Sequence, residues 1–374
     1  MIPLAKPDIT DLERKAVIEV LKTPILSLGP KLREFEKRIA DFSGVKYAVA
    51  TNSGTSALHL IIRSLGIGED DEVITTPFSF ISSSNCILYE RAKPVFVDID
   101  SKTLNIDTSK IEKKITKKTK AILAVDVFGL PADWGKLKKI VKKHKLFLIE
   151  DSAEALGSEY KGKKCGSFGE AAILSFYPNK QITTAGEGGL ILTGNKEIAD
   201  FCCSVRNQGR KAEGSEWLEH IRLGYNYRMP EVCAAMGIAQ LKRINEILKK
   251  RKKVAEIYNK KLINFPEIEI PYVIPGVKIS WFVYVIRLKK KYSQKNRDKI
   301  IKEMAKKGIQ CSNYFYPIHL QPFYKKTFGF KKGDFPVCEQ ISQRTIALPF
   351  YNNLKEKEID FVVTALKKII SRFK

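Results

Sequence analysis

The sequence predicts an α/β protein: a mainly parallel mixed sheet between helices, followed by a smaller α+β unit. Three observations carry that expectation. Through the first two-thirds of the chain, short β-branched and aromatic runs bounded by Gly, Pro, Asp or Asn alternate with helix-period segments. From Pro230 to about Phe265 the period lengthens to that of helices alone. A proline cluster, Pro266, Pro271 and Pro275, then ends the helical stretch, and strands and helices mix again beyond it.

Taken in order, "KYAVATNSG" is a short apolar strand ending at a turn. "TSALHLIIRSLG" follows as a helix with Leu58, Ile61, Ile62 and Leu65 on its apolar side. Strands are expected in "DEVITTPFSF", "PVFVDID", "KAILAVDVFG", "LFLIEDSAEALG", "AAILSFYPNK" and "GGLILTG". Helical patterns such as "ADWGKLKKIVKKHK" lie between several of them, as a parallel sheet requires. Val232, Met236, Ala239, Ile247 and Leu248 fit one long helix or two consecutive ones. After the prolines come the strand candidate "SWFVYVIRL" and the helices "RDKIIKEMAKKG" and "EKEIDFVVTALKKIISRF". The expected division is 1–250 for the large unit, including an N-terminal arm, and 251–374 for the small one.

The composition narrows the function classes. A chain of 374 residues that is 44% hydrophobic can bury a sizeable core. No apolar run reaches membrane-spanning length, and "MIPLAKPDITDLERK" does not read as a signal peptide, so a cytoplasmic location is expected. The seven cysteines form no CxxC pair and the four histidines no HExxH, so reduced thiols and no metal site are expected. The net charge is +25. Its lysines cluster at helix-like spacing with apolar residues between, which fits solvated helix faces; a nucleic-acid groove would interleave aromatics with them.

Open α/β sheets bind ligands at the carboxyl ends of their strands. Four strand ends carry candidate chemistry. Gly54-Thr55-Ser56 opens a helix after "YAVATNS" and reads either as an ordinary N-cap or as a phosphate cradle of free amides and hydroxyls. Glu150-Asp151 ends "LFLI", either exposed or as a carboxylate awaiting a cation. Lys180 follows the turn Pro178-Asn179, either as a solubilising residue or as a lysine in a dry pocket, where it loses pKa and gains nucleophilicity. Phe80 ends "DEVITTPFSF", for core packing or for stacking on a flat ligand. Together a phosphate cradle, an anion, an amine and an aromatic ring suit pyridoxal phosphate.

The chain resembles the DegT-type nucleotide-sugar aminotransferases, fold type I pyridoxal phosphate enzymes. The likeness runs through "IPLAKPDI", "GPKLREFEKRIADFSGVKYAVATNSGTSALHL", "EDSAEALGS", "GSFGEAAILSFYPNKQITTAGEGG", "RNQG", "LGYNYRMPEVCAAMGIAQL" and "YFYPIHLQPFY". "EDSAEALG", "NKQITTAGEGG" and "YNYRM" are most similar to the perosamine synthase branch. The resemblance implies an aspartate aminotransferase-like fold with a large cofactor-binding domain and a small C-terminal one. It implies that Lys180 is the catalytic residue that carries the cofactor covalently, and that Asp151 pairs with the ring nitrogen. Phe80 would stack on the ring, and Glu154 would stand beside the phenolic oxygen. Gly54, Thr55, Ser56 and Ser175 would hold the phosphate. Asn226 would reach it from a neighbouring subunit, giving a homodimer with shared sites. His319 maps to a motif near the sugar.

The implied reaction moves an amino group from glutamate to a GDP-linked 4-keto-6-deoxy sugar, a step of polysaccharide or O-antigen biosynthesis. The alternatives are a UDP- or dTDP-linked 3- or 4-keto sugar, a pyridoxal-dependent sugar dehydratase, or a basic cofactor-binding regulatory protein. Two positions depart from the common pattern: Glu154 stands where Gln is frequent, and Asp126 where His is. Relatives with His in place of the lysine dehydrate sugars, so Lys180 favours amino transfer.

Overall fold

The structure is a computed structural model that describes residues 1–211 and 219–373. Both expected units thus include positions outside the described residues, 212–218 and 374. The strands of the first unit are β1 (Tyr47–Thr51), β2 (Glu72–Thr75), β3 (Lys93–Phe96), β4 (Thr119–Val125), β5 (Phe147–Asp151), the short β6 (Glu159–Tyr160) and β7 (Lys163–Lys164), β8 (Ala171–Ser175) and β9 (Gly189–Thr193). Seven of them form one sheet in the order β1-β9-β8-β5-β4-β2-β3. The pairs β2/β3, β2/β4, β4/β5 and β5/β8 are parallel, and β9 is antiparallel to both β1 and β8. The expected mainly parallel sheet between helices is therefore present.

Both sheet faces are covered, so the strands are apolar on alternate residues in both directions. On one face Ile149, Ile173 and Ile191 pack with Leu58, Ile61 and Ile62 of the helix Gly54–Ser64. On the other, Leu174, Leu190 and Leu192 pack with Leu32, Phe35 and Ile238. Trp134 and Leu137, from the helix Trp134–His144, cover Ile122 and Leu148. The crossover helices thus bury the same residues whose spacing identified them.

The stretch after Pro230 resolves into two helices, Glu231–Lys242 and Ile244–Leu262. The second passes between cores. Ile244 and Ile247 pack with Leu32 and Phe35, whereas Val254, Ala255, Tyr258 and Leu262 pack with the C-terminal residues. The remaining strands are β10 (Ile268–Glu269), β11 (Val277–Lys278), β12 (Tyr284–Leu288) and β13 (Thr345–Leu348). β10, β12 and β13 form an antiparallel sheet under the helices Gln294–Lys306 and Glu356–Ile370. Tyr284, Ile286, Ile300, Met304, Ile346, Leu366 and Ile369 fill its core.

Two further links fasten the halves together. β11 pairs with β6, which with β7 forms a small sheet in the loop after β5. The N-terminal residues run onto the C-terminal unit: Ile2 bridges Ile309, and Phe350 N–H donates to Leu4 O at 2.9 Å. Asp8 then accepts from Arg243, Asn352 and Asn353. All seven cysteines are unpaired, with Cys203, Cys233 and Cys311 only half-buried. No helix among the described residues is long and apolar enough to cross a membrane.

Candidate active site

The carboxyl ends of β1, β5 and β8 converge, because β9 holds β1 and β8 on either side of it. Gly189 is paired with Thr51 on one flank and Ser175 on the other. A Cβ on Gly189 would stand 2.3 Å from the Ser53 carbonyl, so only glycine lets these strand ends close up.

Ser53 caps the helix Gly54–Ser64, its Oγ accepting Ser56 N–H at 3.1 Å. Gly54 and Thr55 therefore keep first-turn amides that no residue of their own helix can satisfy. A Cβ on Gly54 would lie 3.1 Å from Ser175 Cβ, so the bare glycine sets the positive end of the helix close against Ser175, in the cleft at these strand ends. Thr55 Oγ1 and Ser82 Oγ lie 2.8 Å apart, and Ser56 Oγ donates to Asn52 Oδ1 at 2.7 Å. The N-cap is therefore present, and its hydroxyls stand beside the free first-turn amides.

β5 separates its two acids by alternation. Asp151 turns toward this cleft, only 4% exposed, with Oδ2 accepting from Ser83 Oγ at 2.6 Å and Oδ1 from Ala153 N–H at 3.1 Å. Burial pushes its pKa up; Ser83, Ala153 and the charge of Lys180 pull it back. Glu150 points the other way and accepts the amides of Gly166 and Phe168 at 2.6 and 2.8 Å. Across the Ser152 hydroxyl it faces Asp126, which also accepts from Ala132 N–H and Trp134 Nε1. Burial raises Asp126 to about 6 and Glu150 well above the carboxylate range. Asp126, Glu150 and Cys165 bring possible ligand atoms within 4.8 Å of one another, but both carboxylates are committed to protein donors.

Lys180 enters the cleft from the turn after β8, where its N–H donates to Tyr177 O at 2.8 Å. Its side chain is 12% exposed, with Nζ 3.7 Å from Glu154 Oε1 and 4.0 Å from the Phe282 ring centroid. Glu154 Oε2 accepts Phe128 N–H at 2.8 Å. Burial lowers the Lys180 pKa, and the charges of Glu154 and Asp151 pull it back up. Burial raises that of Glu154, and Lys180 opposes it. The solubilising-lysine alternative therefore does not hold at this position.

The other expected residues fall into three groups. Phe80 is 62% exposed, while Phe78 two residues earlier is fully buried, so its ring is open to a ligand and takes no part in the core. Asn226 is exposed; its backbone pairs with Asn207, and its carbonyl accepts from Asn52 Nδ2 at 3.5 Å. His319 is wholly buried, its Nε2 3.0 Å from Glu339 Oε1 and its ring on Phe335. Its Nδ1 is buried without a hydrogen-bond partner among the described residues. The sequence reading missed Ser83, Phe282 and Gln181. Gln181, next to Lys180, donates to Glu154 O at 2.6 Å and Ser280 Oγ at 2.8 Å.

These residues fit pyridoxal phosphate on their own geometry. The cleft at Gly54 is one a Cβ would fill, the buried carboxylate of Asp151 has no direct cationic contact at ion-pair distance among the described residues, and the amine of Lys180 is desolvated. The model of the DegT/DnrJ/EryC1/StrS aminotransferase family matches residues 7–367. The chain is 39% identical to the GDP-perosamine synthase of Caulobacter vibrioides, over 99% of this chain and 98% of that one. Among solved structures it is similar to Helicobacter pylori PseC, an aminotransferase involved in the biosynthesis of pseudoaminic acid, with a TM-score of 0.94 and 31% identity over the whole of both chains. It is similar also to the putative sugar aminotransferase Spr1654 of Streptococcus pneumoniae in its PMP form, with a TM-score of 0.95 and 29% identity, again over the whole of both chains.

Proposed function

The chain belongs to the DegT/DnrJ/EryC1/StrS family of pyridoxal-phosphate-dependent sugar aminotransferases, and on that premise we propose that it moves an amino group from glutamate to a GDP-linked 4-keto-6-deoxy sugar. The observation that carries the aminotransferase reading is one desolvated amine, Lys180, set among Glu154, Asp151 and the helix that starts at Gly54. The similarity to GDP-perosamine synthase supports the choice of sugar nucleotide.

Pyridoxal phosphate, when bound, supplies an aldehyde for the donor nitrogen and a ring that takes up electrons. The chain supplies everything else. Lys180 holds the cofactor through its ε-amine and, once released, moves a proton to and from the donor carbon. Burial pulls its pKa below that of a free lysine, the direction that favours a proton acceptor. Asp151 keeps a proton on the ring nitrogen; Ser83 and Ala153 hold the carboxylate for it without neutralising it. The amides of Gly54 and Thr55 and the hydroxyls of Ser56 and Ser175 would hold the phosphate, and the open ring of Phe80 would lie on the cofactor's flat face. Glu154, within reach of the Lys180 nitrogen, would stand by the phenolic oxygen.

Two copies of the chain complete the site in this reading. The exposed Asn226 of one would reach the phosphate in the other, beside the exposed Ile221 and Leu223. The +25 net charge raises the encounter rate with a sugar nucleotide diphosphate, an effect that falls with added salt.

The test offers GDP-, UDP- and dTDP-linked 3- and 4-keto sugars with glutamate and reads the products by mass spectrometry. The expected result is an amine in place of the carbonyl on the GDP-linked 4-keto-6-deoxy sugar. Transfer only to a UDP- or dTDP-linked sugar overturns the assigned nucleotide. A dehydrated sugar without nitrogen overturns amino transfer itself.

A further inference from the structure

The C-terminal unit sends one aromatic ring into the Lys180 site. Phe282 is 2% exposed, and its ring face lies over Lys180 Nζ, 4.0 Å from the centroid, while Glu154 Oε1 approaches the same nitrogen at 3.7 Å. An amine between a carboxylate and a ring face sits where an ammonium is bound best, because the face of the ring carries negative charge density.

The placement of this ring is fixed from two sides. Trp281, just before it, takes a left-handed conformation at φ 54°, which turns the chain ahead of β12. The carbonyls of Trp281 and Phe282 both accept from Arg251, from Nε and Nη2 at 2.7 Å each, and Arg251 Nη1 reaches Asn352 Oδ1 at 2.8 Å. Arg251 is buried with no carboxylate at ion-pair distance among the described residues, and burial lowers its pKa to about 9. A guanidinium buried without a counter-ion is costly, and here its hydrogen bonds go to the two carbonyls at Phe282 and to Asn352. From the other side, Ser280 N–H donates to Ser158 Oγ at 2.9 Å, and Gln181 Nε2 ties Ser280 Oγ to the backbone of Glu154. The residue after Lys180, the backbone of Glu154 and the segment that carries Phe282 are therefore one hydrogen-bonded unit.

We propose that Phe282 is an active-site residue whose ring face binds the Lys180 ammonium and holds Nζ beside Glu154 while the amine carries its proton. The proposal rests on the reading of Lys180 as proton carrier. The ring favours the charged amine by about half to one and a half pKa units for a desolvated cation, against the pull of burial toward neutrality. The ionisable groups facing the nitrogen are Glu154 and Asp151, and both also favour its charge. Tyr314, whose ring stacks on Phe282 at 6.4 Å and 6°, and Tyr177, in the turn before Lys180, are the neighbouring phenols. Burial and the carboxylates pull in opposite directions, and the ring adds to the carboxylates' side.

A purely structural role for Phe282 depends on the shape of its side chain, whereas this one depends on the charge distribution of the ring. Pentafluorophenylalanine at position 282 nearly keeps the shape and reverses the charge of the face; Phe282→Leu removes the ring. The pH dependence of acylation of Lys180, read on its peptide by mass spectrometry in the full-length chain freed of cofactor, gives the apparent pKa of the amine. The fluorinated protein is expected to show that pKa lower by about half a unit or more, with the pH profile of kcat in the loaded enzyme moving the same way. Phe282→Leu is expected to do likewise; if it fails to fold, the fluorinated protein carries the test. An unchanged labelling pKa in the fluorinated protein overturns the proposal. Borohydride capture of the cofactor on Lys180 in the same proteins tells that outcome apart from a failure of the role given to Lys180.

Discussion

Lys180→Ala is expected to lower amino transfer by at least about 10⁴-fold, because it removes a nucleophile and a proton carrier at once. The two losses do not divide between neighbours. Glu154 is 3.7 Å from Nζ, but its Oε2 is tied to Phe128 N–H, and burial biases it toward the neutral acid. Without Lys180, Glu154 and Asp151 lose the positive charge that keeps their pKa values down, so both shift further toward the neutral form. The fold should survive, since that response removes buried charge without stranding it. Single-turnover conversion of glutamate, with the melting temperature as control, checks this. A rate within tenfold of the unaltered enzyme would contradict the assignment.

Asp151→Asn is expected to cut kcat by about 10²–10³-fold, the usual scale for losing one preorganised charge partner. The amide keeps the shape: Ala153 N–H can still donate to its oxygen, and the Ser83 hydroxyl can turn to accept from its NH₂. What disappears is the negative charge proposed to hold a proton on the ring nitrogen. The same substitution should stabilise the cofactor-free protein at neutral pH. Burial raises the Asp151 pKa in the folded chain, so folding disfavours its ionised form. That penalty is absent below the unfolded carboxylate pKa and grows as pH rises through the folded value. The stability gained by Asp151→Asn should therefore be largest above that range and fade on acidification. Chemical denaturation at a series of pH values measures it, and a gain that grew on acidification would contradict the burial argument.

The parts of the site that lie close together in the chain were legible before the fold was known. Lys180 and the Gly54-Thr55-Ser56 turn each follow an apolar strand, and the carboxyl end of a strand in an open sheet is where ligands bind. Glu150 and Asp151 could not be told apart by type. Only strand alternation, with Asp126 and the loop amides on one side and Ser83 on the other, gives them different work. Ser83 was hidden because a serine in "SSSN" carries no signal until the helix Ser82–Tyr89 sets it against β5.

Phe282 was hidden for another reason. In "SWFVYVIRL" it looks like one more apolar strand residue, yet its neighbour across space is Lys180, a contact that exists only once two units meet. His319 is the converse case. Its motif was visible, but its burial against Phe335 and Glu339 was not, since neither partner is near it in the chain. β10 and β13, of two and four residues, are too short to show a period, and pairing with β12 is what makes them strands.

The central claim is that one lysine carries the chemistry. Reducing the cofactor-loaded enzyme with borohydride fixes the cofactor to whichever amine holds it, and digestion followed by mass spectrometry locates the adduct. The account predicts a single modified peptide, the one containing Lys180. An adduct on any other lysine, or none while cofactor is bound, would contradict it.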